Sequence, residues 1–314
     1  MELGQGFLSL RNDLVVRSVR IRGIIEALEP LHIGGEKGTY ANYINVLKDH
    51  DGKPFIPGTS LKGVLRSLVE IEYSRLGVPV CPGSEIDLSL LADDPDLLQE
   101  VRSRYGRFVD RLRVKTCGDL YSDTIWGLSS TKQGDVQRSL EELDRELCEA
   151  CRLFGTNGFY GSLTVFDATP VQYRLGTRPS LYVEGRKFFK IEYVEDGSTF
   201  SFSLSMRNPA NYMIGAIVLA LKDLKDGRFK IGGFKSRGFG LVTLKDMTME
   251  IRNYSDASFQ KKDSMLYMKP LDRKDVEVKL ESEVISDPGF FEKTEQFMLA
   301  LKKAFSGGVA NGKR

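Results

Sequence analysis

Residues 199–206, TFSFSLSM, alternate without a break: Phe200, Phe202, Leu204 and Met206 fall on one face, Ser201, Ser203 and Ser205 on the other. Period two over the length of a strand is incompatible with a helix, whose faces repeat every 3.6 residues. A strand with one apolar face needs a sheet around it and a second layer over that face. The stretch 15–28, VVRSVRIRGIIEAL, alternates in the same way around Val19, Arg20, Ile21 and Arg22. After it, FIPGTSLKGVLRS at 55–67 opens a helical pattern in which Leu61, Val64, Leu65, Leu68 and Val69 share a face and which fades near Gly77 and Pro79. Further strands are expected at 162–167, at 187–195 and at LVTL after Gly240, and a second helix at about 210–225.

The order strand, helix, strands, helix, strand fits an α+β chain with a ferredoxin-like (RRM-like) core. That core is expected to occupy residues 1–77 and 152–250. Residues 78–151 are polar, rich in Asp, Glu and Arg, and read as a partly helical insertion. Residues 251–314 form a C-terminal extension ending in SGGVANGKR, a disordered tail by composition. Residues 43–48 and 53–56 flank an Asp-His-Asp-Gly turn and read as a hairpin. Residues 170–186, with Gln172, Tyr173, Arg174, Arg178, Tyr182 and Arg186, show little core pattern and read as a long exposed loop or ribbon.

Charge narrows the function. Lys and Arg number 45 against 43 Asp and Glu, so the net charge is +2 and any anion site is a local patch, not a whole basic surface. The longest apolar run, MIGAIVLAL at 213–221, is about half of what a membrane helix needs, and no membrane partner is expected. MELGQGFLSL lacks the basic region and long apolar core of a secretory signal, so a cytoplasmic location is expected.

Four constellations carry chemistry. In FIPGTSLKGVLRS a helix N-terminus, with its unpaired N–H groups and partial positive charge, meets Thr59 and Ser60, while Lys62 and Arg66 stand one turn apart on a face distinct from the leucine stripe. Gly63 permits close approach to the first turn. The same residues also describe a capped helix with solvated cations, Arg66 pairing with Glu70. In GGFKSRGFG at 232–240, four glycines surround Lys235, Ser236 and Arg237, which suits a phosphate backbone and equally a tight helix-to-strand turn; RGFGLV matches an RNA-recognition strand signature only in part. HIGGEKG offers a ligand loop with His32, Glu36 and Lys37; His32 is a candidate proton shuttle or a packed residue. Cys148 and Cys151, in CEAC, with Cys81 and Cys117 offer four thiolates for structural zinc, or four buried thiols. A thioredoxin-like redox role is not expected, because CEAC reads as late in an acidic helix and not as opening one.

IPGTSLKGVLR, preceded by LHIGG and followed in order by CEACRLFG and IGGFKSRGFG, resembles the RAMP superfamily, in particular the backbone subunits of type III CRISPR effector complexes; the resemblance spans about 17–245. It implies copies of the chain stacked with other RAMP subunits as a filament along a CRISPR guide RNA. A thumb-like hairpin, drawn here from about 170–190 with Arg174 and Arg178, would wedge into the duplex with complementary target RNA. Ser60, Lys62, Arg66 and the turn at Lys235, Ser236 and Arg237 would contact the guide backbone, beside His32 and Lys37. The CxxC before RLFG resembles a zinc-binding arrangement of some relatives. Target-cleaving relatives carry an aspartate two residues past the second glycine of HIGG, where this chain has Lys37. Magnesium-dependent cleavage would then need Glu36 or Asp49, and a binding subunit is the first expectation. A metal-independent repeat-processing endoribonuclease using His32 is a further alternative.

Overall fold

The alternating segments become the middle of an antiparallel sheet. The computed structural model of the chain describes residues 8–10, 14–37, 43–91, 94–130, 132–182 and 187–306. In chain order its principal elements are β1 (Arg17–Ala27), β2 (Gly34–Lys37), β3 (Tyr43–Val46), α1 (Gly58–Arg75), α2 (Pro95–Tyr105), α3 (Gln133–Glu146), α4 (Glu149–Phe154), β4 (Leu163–Val165), β5 (Thr169–Gln172), β6 (Leu175–Tyr182), β7 (Lys187–Val194), β8 (Thr199–Arg207), α5 (Asn211–Lys225), β9 (Val242–Asn253), β10 (Phe259–Lys262), β11 (Met265–Met268), β12 (Val278–Leu280), β13 (Val284–Ser286) and α6 (Glu295–Phe305). The class is α+β.

The main sheet runs β13-β9-β1-β8-β4, with β5 also on β8. Every pairing in it is antiparallel. Register places Ile21 opposite Leu204 and Met249, and Ile25 opposite Phe200 and Leu244, so the two alternations meet on one buried face. Each such side chain contributes about 1.5–3 kcal/mol when fully buried. Helix α1 buries Leu61, Leu65, Leu68 and Val69 of the expected stripe and extends it by a turn to Tyr73, while Val64 is only partly buried. Helix α5 is buried on nearly all sides, packed against α1, β9 and α6. That position explains the apolar run at 213–221. Among the described residues no helix is long and apolar enough to cross a membrane.

A second sheet, β2-β3-β7-β6, joins the loop after β1 to a ribbon. In that ribbon β6 and β7 pair from Leu175↔Val194 to Tyr182↔Lys187. Much of 170–186 is therefore strand; β6 is solvated and carries no core alternation, which hides it from a periodicity reading. The hairpin expected between 43–48 and 53–56 shrinks to the single bridge Lys48↔Pro54. Pro54 has no N–H for a ladder, and β3 pairs with β2 and β7 instead.

In the insertion, Leu88, Phe108, Val114, Leu140 and Leu143 enter the same buried cluster as the sheet residues. The C-terminal extension folds as a β10-β11-β12 sheet, adds β13 to the main sheet and lays α6 on α5. Fully buried Arg17 anchors it: its guanidinium donates to Asn211 Oδ1 at 2.9 Å, to the Lys269 carbonyl at 2.8 Å and to the Ser258 carbonyl. Burial pulls the Arg17 pKa down to about 10, against the opposing pull of Asp275. The tail at 307–314 lies outside the described residues.

Candidate nucleic-acid interface and metal centre

Pro57 is the N-cap of α1 and makes no side-chain cap. The Gly58 N–H is met from across the fold by Asp167 Oδ1 at 2.7 Å. Thr59 and Ser60 are exposed, so their hydroxyls face outward. The glycine-rich turn packs beside this helix end. Ile231 N–H donates to Gly240 O, Gly240 N–H to Pro30 O, and Gly233 N–H to His32 O at 2.8 Å. Gly232 has φ +79°, and a Cβ there would stand 2.3 Å from His32 O, so only glycine fits. Lys235–Arg237 form one exposed 3₁₀ turn. Between turn and helix lies an open cleft of about 560 Å³, lined by Gly34, Ser60, Gly63, Ser67, Lys230 and Lys235 among others. The loop after β1, the mouth of α1 and the glycine-rich turn therefore wall one groove.

The ribbon reaches the same turn. Arg237 donates to Ser180 Oγ at 2.8 Å, and the Arg178 guanidinium lies 5.2 Å from the Phe239 ring centroid and 5.8 Å from that of Tyr193. Arg174, 77% exposed, pairs with Glu195 at 3.3 Å.

His32 is buried, with Nδ1 2.7 Å from the Glu192 carbonyl oxygen and its ring 5.0 Å from Phe234. Burial pushes its pKa down, the Glu192 carbonyl and carboxylate opposing. These contacts give His32 a packing role under the glycine-rich turn. The side chains of Glu36 and Lys37 lie outside the described residues. Asp49 closes its own turn: Oδ1 accepts the Asp51 and Lys53 N–H groups, each at 2.9 Å.

Lys62 and Arg66 part company. Lys62 is half-buried; burial, then repulsion from Arg66, lowers its pKa. Arg66 instead pairs with Glu70 at 2.7 Å, donates to Gly155 O at 3.2 Å and approaches Cys151 Sγ at 3.7 Å. Burial opposes its charge, but Cys151, Glu70 and Cys81 outweigh this and raise its pKa.

Cys81, Cys117, Cys148 and Cys151 are buried, with all four sulfurs within 4.8 Å of one another. Cys81 Sγ lies 3.3 Å from Cys151 Sγ and 3.6 Å from Cys148 Sγ. Four thiolates around a tetrahedral zinc stand about 3.8 Å apart, given Zn–S bonds of about 2.3 Å. Backbone N–H groups of Cys148 and Cys151 point at Cys117 Sγ and Cys148 Sγ. This group could hold a metal ion. The expectation that CEAC sits late in a helix is corrected by the fold. CEAC opens one: Leu147 is extended, α3 stops at Glu146, and Cys148 is the N-cap of α4. The acidic periodicity of α3 conceals that break. Glu149 and Arg152 on α4 are also buried; Glu149 accepts from Tyr212 Oη at 2.8 Å and Arg152 donates to Asp144 Oδ1 at 3.0 Å.

The family model of the RAMP superfamily matches residues 24–243. The chain belongs to the RAMP superfamily. No curated protein matches it. The matched span of this RAMP protein runs from within β1 to the start of β9, taking in both glycine loops, α1 and the cysteine cluster. The structure brings Ser60 and Lys235 to one cleft, places exposed Ser236 and Arg237 on its turn, and turns Arg66 toward the cysteines.

A second cleft, about 620 Å³, lies on the other side of the first turn of α1. Thr59, Lys62, Thr156, Tyr160, Thr164 and Arg207 line it with others. Its lip is the turn GTNGFYG at 155–161, closed by the Thr156–Phe159 bridge. Gly155 and Gly161 face each other so closely that a Cβ on Gly161 would stand 2.2 Å from Gly155 N. Phe159 points into the core and Tyr160 is 84% exposed. Neither Tyr160 nor Asp167 is singled out by the sequence reading. The spaced glycines around an aromatic pair were the available signal for the former.

Proposed function

We propose that the chain is a guide-RNA-binding backbone subunit of a type III CRISPR effector complex in the cytoplasm, stacking with other RAMP subunits and with its own copies and helping to present target RNA. RAMP membership is consistent with a CRISPR-related RNA-binding role. One observation carries the reading: Gly34, Ser60, Gly63 and Lys235, from three separated segments, line a single open cleft. Such a groove suits ribose-phosphate units, whose charge is neutralised by Lys and Arg and whose contacts come from backbone N–H groups and hydroxyls. The strand order β9-β1-β8-β4, with α1 and α5 as crossovers, supports a ferredoxin-like core. The projecting β6–β7 ribbon, with Arg174 and Arg178, supports the thumb assignment. The sulfur spacing supports structural zinc, which would cross-link the segments carrying Cys81, Cys117, Cys148 and Cys151; Arg66 would offset the charge of the thiolates.

The reading favours binding over cleavage, because Lys37 stands where target-cleaving relatives carry an aspartate; Asp49 Oδ1 closes its own turn. The test is RNA affinity at low salt and its salt slope. A Lys235→Ala, Arg237→Ala double variant is expected to bind more weakly across all sequences. Its salt slope should be shallower by about 1.4, since each single-strand phosphate deprived of its cation removes about 0.7. Unchanged affinity and slope would remove the basis of the proposal.

A further inference from the structure

The cleft beside Lys62 is not used by the guide-backbone groove, yet it begins on the other side of the same helical turn. Thr59 lines both. Among the described residues lining it are two cations, Lys62 and Arg207, and no carboxylate. The nearby acid Asp167 accepts the Gly58 N–H, which places its charge on the helix end; Thr59 and Thr164 also line the cleft, while Thr156 Oγ1 accepts the Gly118 N–H. The volume is in the range of small-ligand sites. At the rim stands Tyr160, a large ring displayed to solvent by a turn whose backbone only glycines permit. Fixing an aromatic ring outward on a rigid turn leaves little ordering cost when something flat stacks on it.

We propose, resting on the RNA-binding reading above, that this cleft takes one unstacked nucleobase of single-stranded RNA against the Tyr160 ring, with the adjoining phosphate between Lys62 and Arg207. A strand lying in the first cleft reaches it by crossing the turn Thr59–Gly63, where the helix presents two hydroxyls and a glycine. Stacking on an aromatic face is tolerant of base identity, as a subunit that binds any guide requires. The reading of sequence remains with base pairing.

The test uses the full chain, a short labelled oligoadenylate, the same strand carrying 2-aminopurine, and an abasic ribose-phosphate strand of equal length. Tyr160→Ala is expected to weaken oligoadenylate binding roughly five- to hundredfold, the range for loss of one base–aromatic stack. Tyr160→Phe should stay within about twofold of the wild type, since the π face is kept. Neither should alter binding of the abasic strand, whereas Lys62→Ala in this cleft and Lys235→Ala in the guide groove should each weaken both. Wild-type protein should quench 2-aminopurine and Tyr160→Ala should not. Equal melting temperatures establish that the exposed position has not perturbed the fold. Wild-type affinity in Tyr160→Ala and Lys62→Ala, with Lys235→Ala still weak, overturns this proposal and leaves the guide groove standing. Loss of self-association in Tyr160→Ala without loss of RNA affinity assigns the cleft to a second copy and also overturns it. A wild-type chain that binds none of the strands removes both readings.

Discussion

Gly63 offers a perturbation in which stability and function move in opposite directions. It lies inside α1, exposed, on the lining of the first cleft. A Cβ built there meets no atom within 4 Å, so nothing in the chain itself demands glycine. A glycine in a helix interior costs about 0.5–1 kcal/mol relative to alanine. Gly63→Ala should therefore stabilise the fold by that amount and raise the melting temperature by about 2 °C. If ribose-phosphate units pack on this turn, the added methyl intrudes into an occupied contact. Overpacking of that kind costs about 1–3 kcal/mol, or roughly five- to a hundredfold in Kd. Calorimetry and fluorescence anisotropy with single-stranded RNA at low salt read the two effects separately. A raised melting temperature with unchanged affinity would refute the placement of the backbone over Gly63.

Other outcomes follow from the same geometry. Metal analysis of purified protein should find about one zinc per chain, and a strong chelator or Cys117→Ser should lower the melting temperature, because the four buried sulfurs would lose their common ligand. His32 has a depressed pKa in the fold, so the unfolded chain binds the extra proton more readily near its ordinary value of 6.5. The stability it contributes is present above that value and lost as pH falls; melting temperatures at pH 8 and pH 5.5 should differ more for wild type than for His32→Gln. Arg17→Leu should cost about 3–5 kcal/mol, read by denaturant unfolding, since it strips donors from buried carbonyls of Ser258 and Lys269.

The sheet and α1 are legible in the sequence because their signals are local: the Phe200–Met206 alternation and the Leu61–Leu68 stripe each fall within one element. Ser60 and Lys235 belong to separate motifs in the sequence and share a role only through the family resemblance; the fold brings both to one cleft. Arg66 shows where local spacing stops. One of its two legible fates, pairing with Glu70, is what the fold selects, and the reason lies in Gly155 and Cys151, far along the chain. Arg17 shares the face of Val19 and Ile21, so the alternation alone puts a cation among apolar residues; its partners Asn211, Ser258 and Lys269 come from far along the chain. The β6 strand is legible only as an exposed loop or ribbon, for the opposite reason: a ribbon solvated on its outer strand has no apolar rhythm that would mark it as strand.

The edges of the two largest sheets constrain how copies could assemble. The main sheet ends in β13 on one side and in the short strands β4 and β5 on the other. In the second sheet the outer strand β6 is longer, but Pro179 interrupts its donors and Arg178 adds charge to it. Short, charged or proline-bearing margins are poor templates for continuing a ladder into another molecule. In the filament proposed above, neighbouring subunits would then meet through side chains, and its pitch would follow the nucleic acid and not the step of about 4.8 Å of a shared sheet.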